Sequence, residues 1–302
     1  MPGKKDSNGT SASSRSRRLF WVILLNAAIS IAEVTGGLFA NSLALISDAI
    51  HNISDVLASV MAWWAVKTGS RKSTLNKTFG FKRIEILAAF LNSAILVVIS
   101  LYLIFEAISR FSNHEHVNGL IMSGVAVVGF FANLFGVLVL KRDASESLNI
   151  KAAYLHLLAD TISSLAVIIG GILIYYFDIF WVDPAITIFI AFYIFTATYK
   201  ILKQTVDILM QGTPSGIDLI EIKKDLEAFE DISNIHHVHA WNMTEMEIQF
   251  ECHVDLNKDL SVGKTAVISR KIKGILREKY GIHHATIQYE YDDCHDKSII
   301  SH

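Results

Sequence analysis

Six stretches of the chain stay apolar for about 20 residues or more, each closed by a short polar loop. They run over residues 19–40, 42–66, 84–111, 117–140, 152–177 and 181–201. A helix rises ~1.5 Å per residue, so about 20 residues cross a hydrocarbon core of ~30 Å. The pattern predicts six membrane-spanning helices. After residue 211 it changes. GTPSGID offers a loop and then helix-start signals, and residues 219–229 carry an amphipathic helical period. NIHHVHAWNM reads as a strand, and EIQFECHVDL as a second. In the latter Ile248, Phe250, Cys252, Val254 and Leu256 alternate with Glu247, Gln249, Glu251, His253 and Asp255, a period of two. A helix over 262–280 leads into the strand HHATIQYEY. The expected fold class is an α-helical membrane protein with a small C-terminal domain in the order α-β-β-α-β, its helices covering one sheet face. Three parts are expected: a disordered tail over 1–18, a transmembrane domain over 19–211 and a further domain over 212–302.

Composition agrees with the pattern. Hydrophobic residues make up 52% of the chain, charged residues 19%, and there are 3 prolines, which is a membrane composition. A formal net charge of −2 gives no field that would draw nucleic acid. The start, MPGKKDSNGTSASSRSRRLF, is rich in Ser, Gly, Lys and Arg and reads as disordered. No small-residue cleavage site follows the first apolar run, which is read as a retained span, not a signal peptide. Basic residues set the orientation. Lys67, Arg71, Lys72, Lys77, Lys82 and Arg83 lie between the second and third spans, and Lys141, Arg142 and Lys151 between the fourth and fifth. Arg15, Arg17 and Arg18 precede the first span, Lys200 and Lys203 close the last, and the opposite loops hold only Arg110. Both termini are therefore expected in the cytoplasm.

Two copies of His-x-x-x-Asp fall inside spans: His51 with Asp55 in the second, His156 with Asp160 in the fifth. A spacing of four puts both side chains of a pair on one helix face, a turn apart. Ionisable groups at membrane depth cost ~2.5–3.5 kcal/mol each on insertion scales, so they turn inward and mark an ion path. Counted along the helices, Asp55 and Asp160 reach a similar depth, roughly 20 Å from the outer ends of their spans. Two imidazoles and two carboxylates make a plausible tetrahedral site for a small divalent cation such as Zn²⁺. Small residues on both helices, Ser54, Ala58, Ser59, Ser163, Ser164, Ala166 and Gly170 among them, permit close approach. Asp48, on the same face, is either an entry or exit carboxylate or a charge that stabilises the helix start. Asn26, Glu33, Asn92, Glu106 and Asn133 are read as partly structural.

SLALISDAIHNISDVLAS, TFGFKRIEILAAFLN and HLLADTISSLAVII resemble the matching segments of cation diffusion facilitators, the zinc-type bacterial exporters and their eukaryotic zinc-transporter relatives. The resemblance covers nearly the whole chain after the tail. It implies a homodimer of six-span protomers in a bilayer, a bacterial plasma membrane by the nearest type, each with a cytosolic ferredoxin-like domain. It implies proton-coupled export of Zn²⁺, with Cd²⁺ or Co²⁺ accepted by some members, from a site of His51, Asp55, His156 and Asp160. Some members carry Asp where this chain has His51. Others carry a metal site in the loop after the second span, but KTGSRKSTLNKTFGFK has no His, Asp, Glu or Cys, and none is expected here.

Eight of the 12 histidines lie after residue 211. The resemblance maps domain metal ligands onto His236, His253, His283 and Glu290. By strict alternation His284, not His283, shares a face with Glu290, and the alternative is a set of solvated histidines at a dimer interface. Cys294 and His295 are possible additions from the tail, whereas Cys252, on the apolar strand face, reads as core. The family also pairs the end of the third span with that of the partner's sixth, which here means Arg83 and Asp207; the alternative is an Arg that snorkels. An intramembrane metalloenzyme is the rival function. It lacks H-E-x-x-H, and using both His-x-x-x-Asp pairs to hold the ion leaves no general base. A metal sensor that binds without transporting is the second rival.

Overall fold

The computed structural model describes Leu24 and residues 27–69, 71–113, 115–141, 148–292 and 298–300. The expected disordered tail, most of 19–26 in the first predicted span, and Cys294 with His295 lie outside these residues. Helix α1 is Ala27–Ala40. Five further helices are each long and apolar enough to cross a membrane. They are α2 (Leu43–Gly69), α3 (Ile84–Ser112), α4 (Gly119–Leu140), α5 (Leu148–Phe177) and α6 (Val182–Leu209). Helices α2 and α6 outrun their predicted spans. In KILKQTVDIL the hydropathy falls, but no Gly or Pro stops the helix before Gly212. Hydropathy marks where hydrocarbon ends, not where helix ends. Gln211 then takes a φ of 58° and the Gly212 N–H bonds back to the Asp207 carbonyl at 2.8 Å, closing the helix in the left-handed manner.

Two compact units divide the chain, one holding residues up to 61 with 91–200, the other 62–90 with 201–302. In the first, large apolar side chains such as Phe105, Phe131, Phe135 and Phe189 are exposed, while Ser93, Asn133, Asp160 and Ser164 are buried. That inversion of a soluble protein suits a lipid solvent. Helix α2 is capped from another helix: the buried Asp183 of α6 accepts from Ser42 Oγ at 2.5 Å and from the Leu43 and Ala44 N–H groups at 3.0 and 3.2 Å. These are orphan donors of a helix start, and a carboxylate there also meets the positive end of the helix dipole. Arg110, the basic residue that broke the loop-charge pattern, bonds the Asn41 carbonyl at 2.8 Å and pairs with Glu115 at 3.2 Å, so its charge is neutralised locally. Glycines let α4 and α5 touch: a Cβ on Gly119 would overlap the Gly171 and Tyr175 backbone.

In the second unit the observed order is α7 (Leu219–Glu227), β1 (Ile232–Asn242), β2 (Ile248–Leu256), α8 (Val262–Tyr280), β3 (His284–Glu290). This is the predicted α-β-β-α-β order. Strand β2 is central, antiparallel to β1 and parallel to β3, the parallel pairing made by the α8 crossover. Asp218 caps α7, its Oδ1 accepting from the Ile220 and Glu221 N–H groups at 2.8 and 3.3 Å. Gly281, at a φ of 68°, ends α8. Phe250, Cys252 and Val254 of β2 form one core with Ile222 and Leu226 of α7 and Ile272 and Leu276 of α8, as the alternation required. Strand β1 departs from simple alternation. Register shifts fall between Ile232 and Asn234 and between His236 and His239, and His237 takes a φ of 49°. A bulge of this kind re-aims the residues beside it.

Candidate metal centres

Helices α2 and α5 bring the two His-x-x-x-Asp pairs face to face. His156 Nε2 lies 3.3 Å from Asp55 Oδ2 and 3.4 Å from Asp160 Oδ2. His51 Nε2 lies 3.6 Å from Asp55 Oδ2 and 4.0 Å from Asp160 Oδ1. The imidazole centroids are 5.7 Å apart and nearly perpendicular. Ligand atoms ~2.0–2.1 Å from a tetrahedral ion stand ~3.3 Å from one another. The observed separations begin at that value and extend somewhat beyond it, so a small ion needs only a slight contraction. Asp55 Oδ2, His156 Nε2 and Asp160 Oδ2 are buried without a hydrogen-bond partner, and a cation would satisfy all three. The donor set fits a divalent metal: two imidazole nitrogens and two carboxylates converge from facing helices.

Around this set the helices are tied by polar pairs that spacing alone did not reveal. Ser163 Oγ of α5 donates to Asp48 Oδ1 of α2 at 2.8 Å. Asn52 Nδ2 of α2 donates to Glu33 Oε2 of α1 at 3.1 Å. The signal available in the sequence was only that Glu33, Asp48 and Asn52 stand at membrane depth, where each polar group demands a partner. Which partner depends on helix rotation.

A second convergence lies on the sheet. Register places His236 opposite His253, and Asp255 beside Glu290. Glu290 Oε1 is 2.7 Å from His253 Nδ1, and its Oε2 is 3.2 Å from His236 Nε2. His236 is fully buried, and both its ring nitrogens, like Glu290 Oε2, lack a hydrogen bond. Orphaned nitrogens facing an orphaned carboxylate oxygen fit a bound metal. His237, re-aimed by the bulge, stacks on His253 with centroids 4.5 Å apart. His283 is not brought to this group: it is exposed on the segment before β3. Cys252 points into the core, where burial and then the Glu251 charge push its thiol up to about 12. No ion pair joins Arg83 to Asp207 within the chain, and Arg83 Nε is buried without a hydrogen-bond partner.

The family model for the cation efflux transmembrane domain matches residues 19–210, and that for the cation efflux protein cytoplasmic domain matches residues 214–292. The chain belongs to the cation efflux family. Its relatives include the "Cadmium, cobalt and zinc/H(+)-K(+) antiporter" of Bacillus subtilis, 40% identical over 89% of this chain and 88% of that one. The zinc transporter ZitB of Escherichia coli is 34% identical over 93% of this chain and 90% of its own length. A solved metal-bound C-terminal domain of the CzcD transporter of Cupriavidus metallidurans is 30% identical, covering 24% of this chain and 99% of that structure, with a TM-score of 0.22. Cation efflux proteins are transporters, not enzymes. The membrane quartet falls within the first matched segment of this cation efflux protein and the sheet trio within the second.

Proposed function

We propose that this protein exports divalent metal cations, Zn²⁺ foremost and Cd²⁺ and Co²⁺ as alternatives, in exchange for protons. His51, Asp55, His156 and Asp160 hold the transported ion. The observation that carries this reading is the convergence of four side chains from α2 and α5, with His–Asp ligand atoms at separations of 3.3–4.0 Å. One relative named as a cadmium, cobalt and zinc antiporter and another named as a zinc transporter support the choice of cargo. The ligands bind metal only when deprotonated, so protons and metal compete for the same atoms. Neutral imidazoles and ionised carboxylates capture the ion from the cytoplasm. Rocking of the helices opens the site to the other side, where protons displace the ion and are carried back.

The reading includes both termini in the cytoplasm, a transmembrane domain over 19–211 and a cytosolic domain over 212–302. It also includes a homodimer, in which Arg83 meets the partner's Asp207. In the cytosolic domain His236, His253 and Glu290 hold a regulatory metal ion, with His283 retained in the ligand set by the family resemblance. The deciding experiment is ion flux in proteoliposomes carrying the purified protein. The wild type should move Zn²⁺ when a pH gradient is imposed. Asp160→Ala, which removes a buried anionic ligand, should reduce that flux to background while the protein remains folded by circular dichroism. Wild-type flux in the Asp160→Ala protein would refute the site.

A further inference from the structure

Glu33 has a place in the bundle that the metal quartet does not account for. It is 1% exposed. One carboxylate oxygen, Oε2, accepts the Asn52 amide at 3.1 Å, while the other, Oε1, is buried with no hydrogen-bond partner. Helix α4 leaves room for that second oxygen: a Cβ on Gly129 would stand 2.6 Å from Oε1, so any side chain larger than hydrogen would press on it. No Lys, Arg or His pairs with Glu33 among the described residues. Asp48 of α2 and Asp160 of α5 are near enough to act on it through their charge, and both are acidic like Glu33 itself. On α4, one turn from Gly129, stands Asn133, 1% exposed and with both amide atoms unpartnered. A buried carboxylate bonded through one oxygen only, with two other acidic groups near it, is costly unless something positive joins it.

We propose that Glu33 is a second proton-binding site, separate from the metal ligands, and that its proton is one of those exchanged for the metal. This rests on the exchange reading above. Among the described residues no hydrogen bond or ion pair joins Glu33 to the four ligands; it is bonded to Asn52, the neighbour of His51 on α2. A divalent ion entering the quartet brings positive charge close to this carboxyl and favours its ionised form. The O–H bond of Glu33 then breaks, the electron pair stays on the carboxylate, and the proton leaves to solvent. When the ion departs, the uncompensated carboxylate takes a proton up again. Metal and proton thus displace one another through electrostatics without sharing an atom, as reciprocal linkage requires.

The test counts protons. Zinc binding to the full-length protein is measured by calorimetry in two buffers of different ionisation enthalpy, which gives the protons released per ion bound. Zinc flux and proton counter-flux are recorded together in proteoliposomes. Glu33→Gln keeps the shape and the Asn52 contact but cannot ionise. It should release one proton fewer per Zn²⁺ than the wild type and, where it transports, exchange one fewer per ion, whereas Glu33→Asp should restore the count. An unchanged count in Glu33→Gln, or a Glu33→Asp count equal to that of Gln, overturns the proposal. Should Glu33→Gln fail to fold, Gly129→Ala leaves every titrating group in place while crowding Oε1. It should shift the pH at which the extra proton is released, and no shift would overturn the proposal. A wild type that moves no protons against zinc would instead refute the exchange function itself.

Discussion

On the proposed reading, His51 is the ligand whose chemistry sets what the membrane site prefers. Imidazole offers one nitrogen on a rigid ring, which suits a compact four-coordinate ion at ~2.0–2.1 Å. A carboxylate at this position would be shorter, would add negative charge and would bind through either or both oxygens, easing the entry of a larger ion. His51→Asp is therefore expected to raise Cd²⁺ flux relative to Zn²⁺ at equal protein and equal pH gradient. A flux ratio equal to that of the wild type would move discrimination from residue 51 to helix packing. The quartet was legible in the sequence because a helical repeat of four and membrane depth are both one-dimensional signals. Asn52 with Glu33 and Asp48 with Ser163 were not, since pairing between helices depends on how each is rotated about its axis. In the sheet His236 and Glu290 converge while His283 stays outside, exposed before β3. A period of two cannot foresee the bulge between His236 and His239.

Elements followed the hydrophobic pattern more closely than single contacts did. The alternation of β2 and the amphipathic periods of α7 and α8 specify one buried face each, and those faces meet in a single core. What pattern did not show is how the two helices are fastened at the surface. Asp225 of α7 accepts from Lys279 Nζ at 2.6 Å and from Tyr280 Oη at 2.7 Å, and Lys279 also reaches Glu221 at 2.8 Å. The Lys279 hydrogen bond, followed by that of Tyr280, holds the Asp225 carboxyl below its ordinary range. A carboxylate whose folded pKa is depressed adds stability that is present above the unfolded value, ~3.9, and is lost as pH falls through the lower folded value. Asp225→Asn should thus lower the denaturation midpoint of the C-terminal domain near neutral pH, modestly because the group is only partly buried and solvent screens it. The difference from wild type should close in strong acid. A constant difference from neutral to acid pH would mean that packing at Asp225, not its charge, is what matters.

For the whole molecule, the two centres differ in what surrounds their ligands. The membrane quartet is shared by two helices, and small shifts of packed helices are an ordinary means of opening and closing a site. The trio of His236, His253 and Glu290 sits on three hydrogen-bonded strands, with His237 stacked over His253. A sheet held by its ladders has little freedom to part these ligands. On the proposed reading, the first site passes an ion along and the second keeps one. The full-length protein carrying both His236→Ala and His253→Ala should therefore bind less Zn²⁺ at equilibrium, as measured by dialysis against buffered metal. Its flux in proteoliposomes should fall without vanishing, because on that reading the transported ion is held by the membrane quartet. Bound zinc equal to that of the wild type would move the domain site to other histidines. Flux reduced to background in a protein that still folds and still binds zinc in its membrane domain would show that a metal held in the sheet is obligatory for transport, and the division of labour between the centres would be wrong.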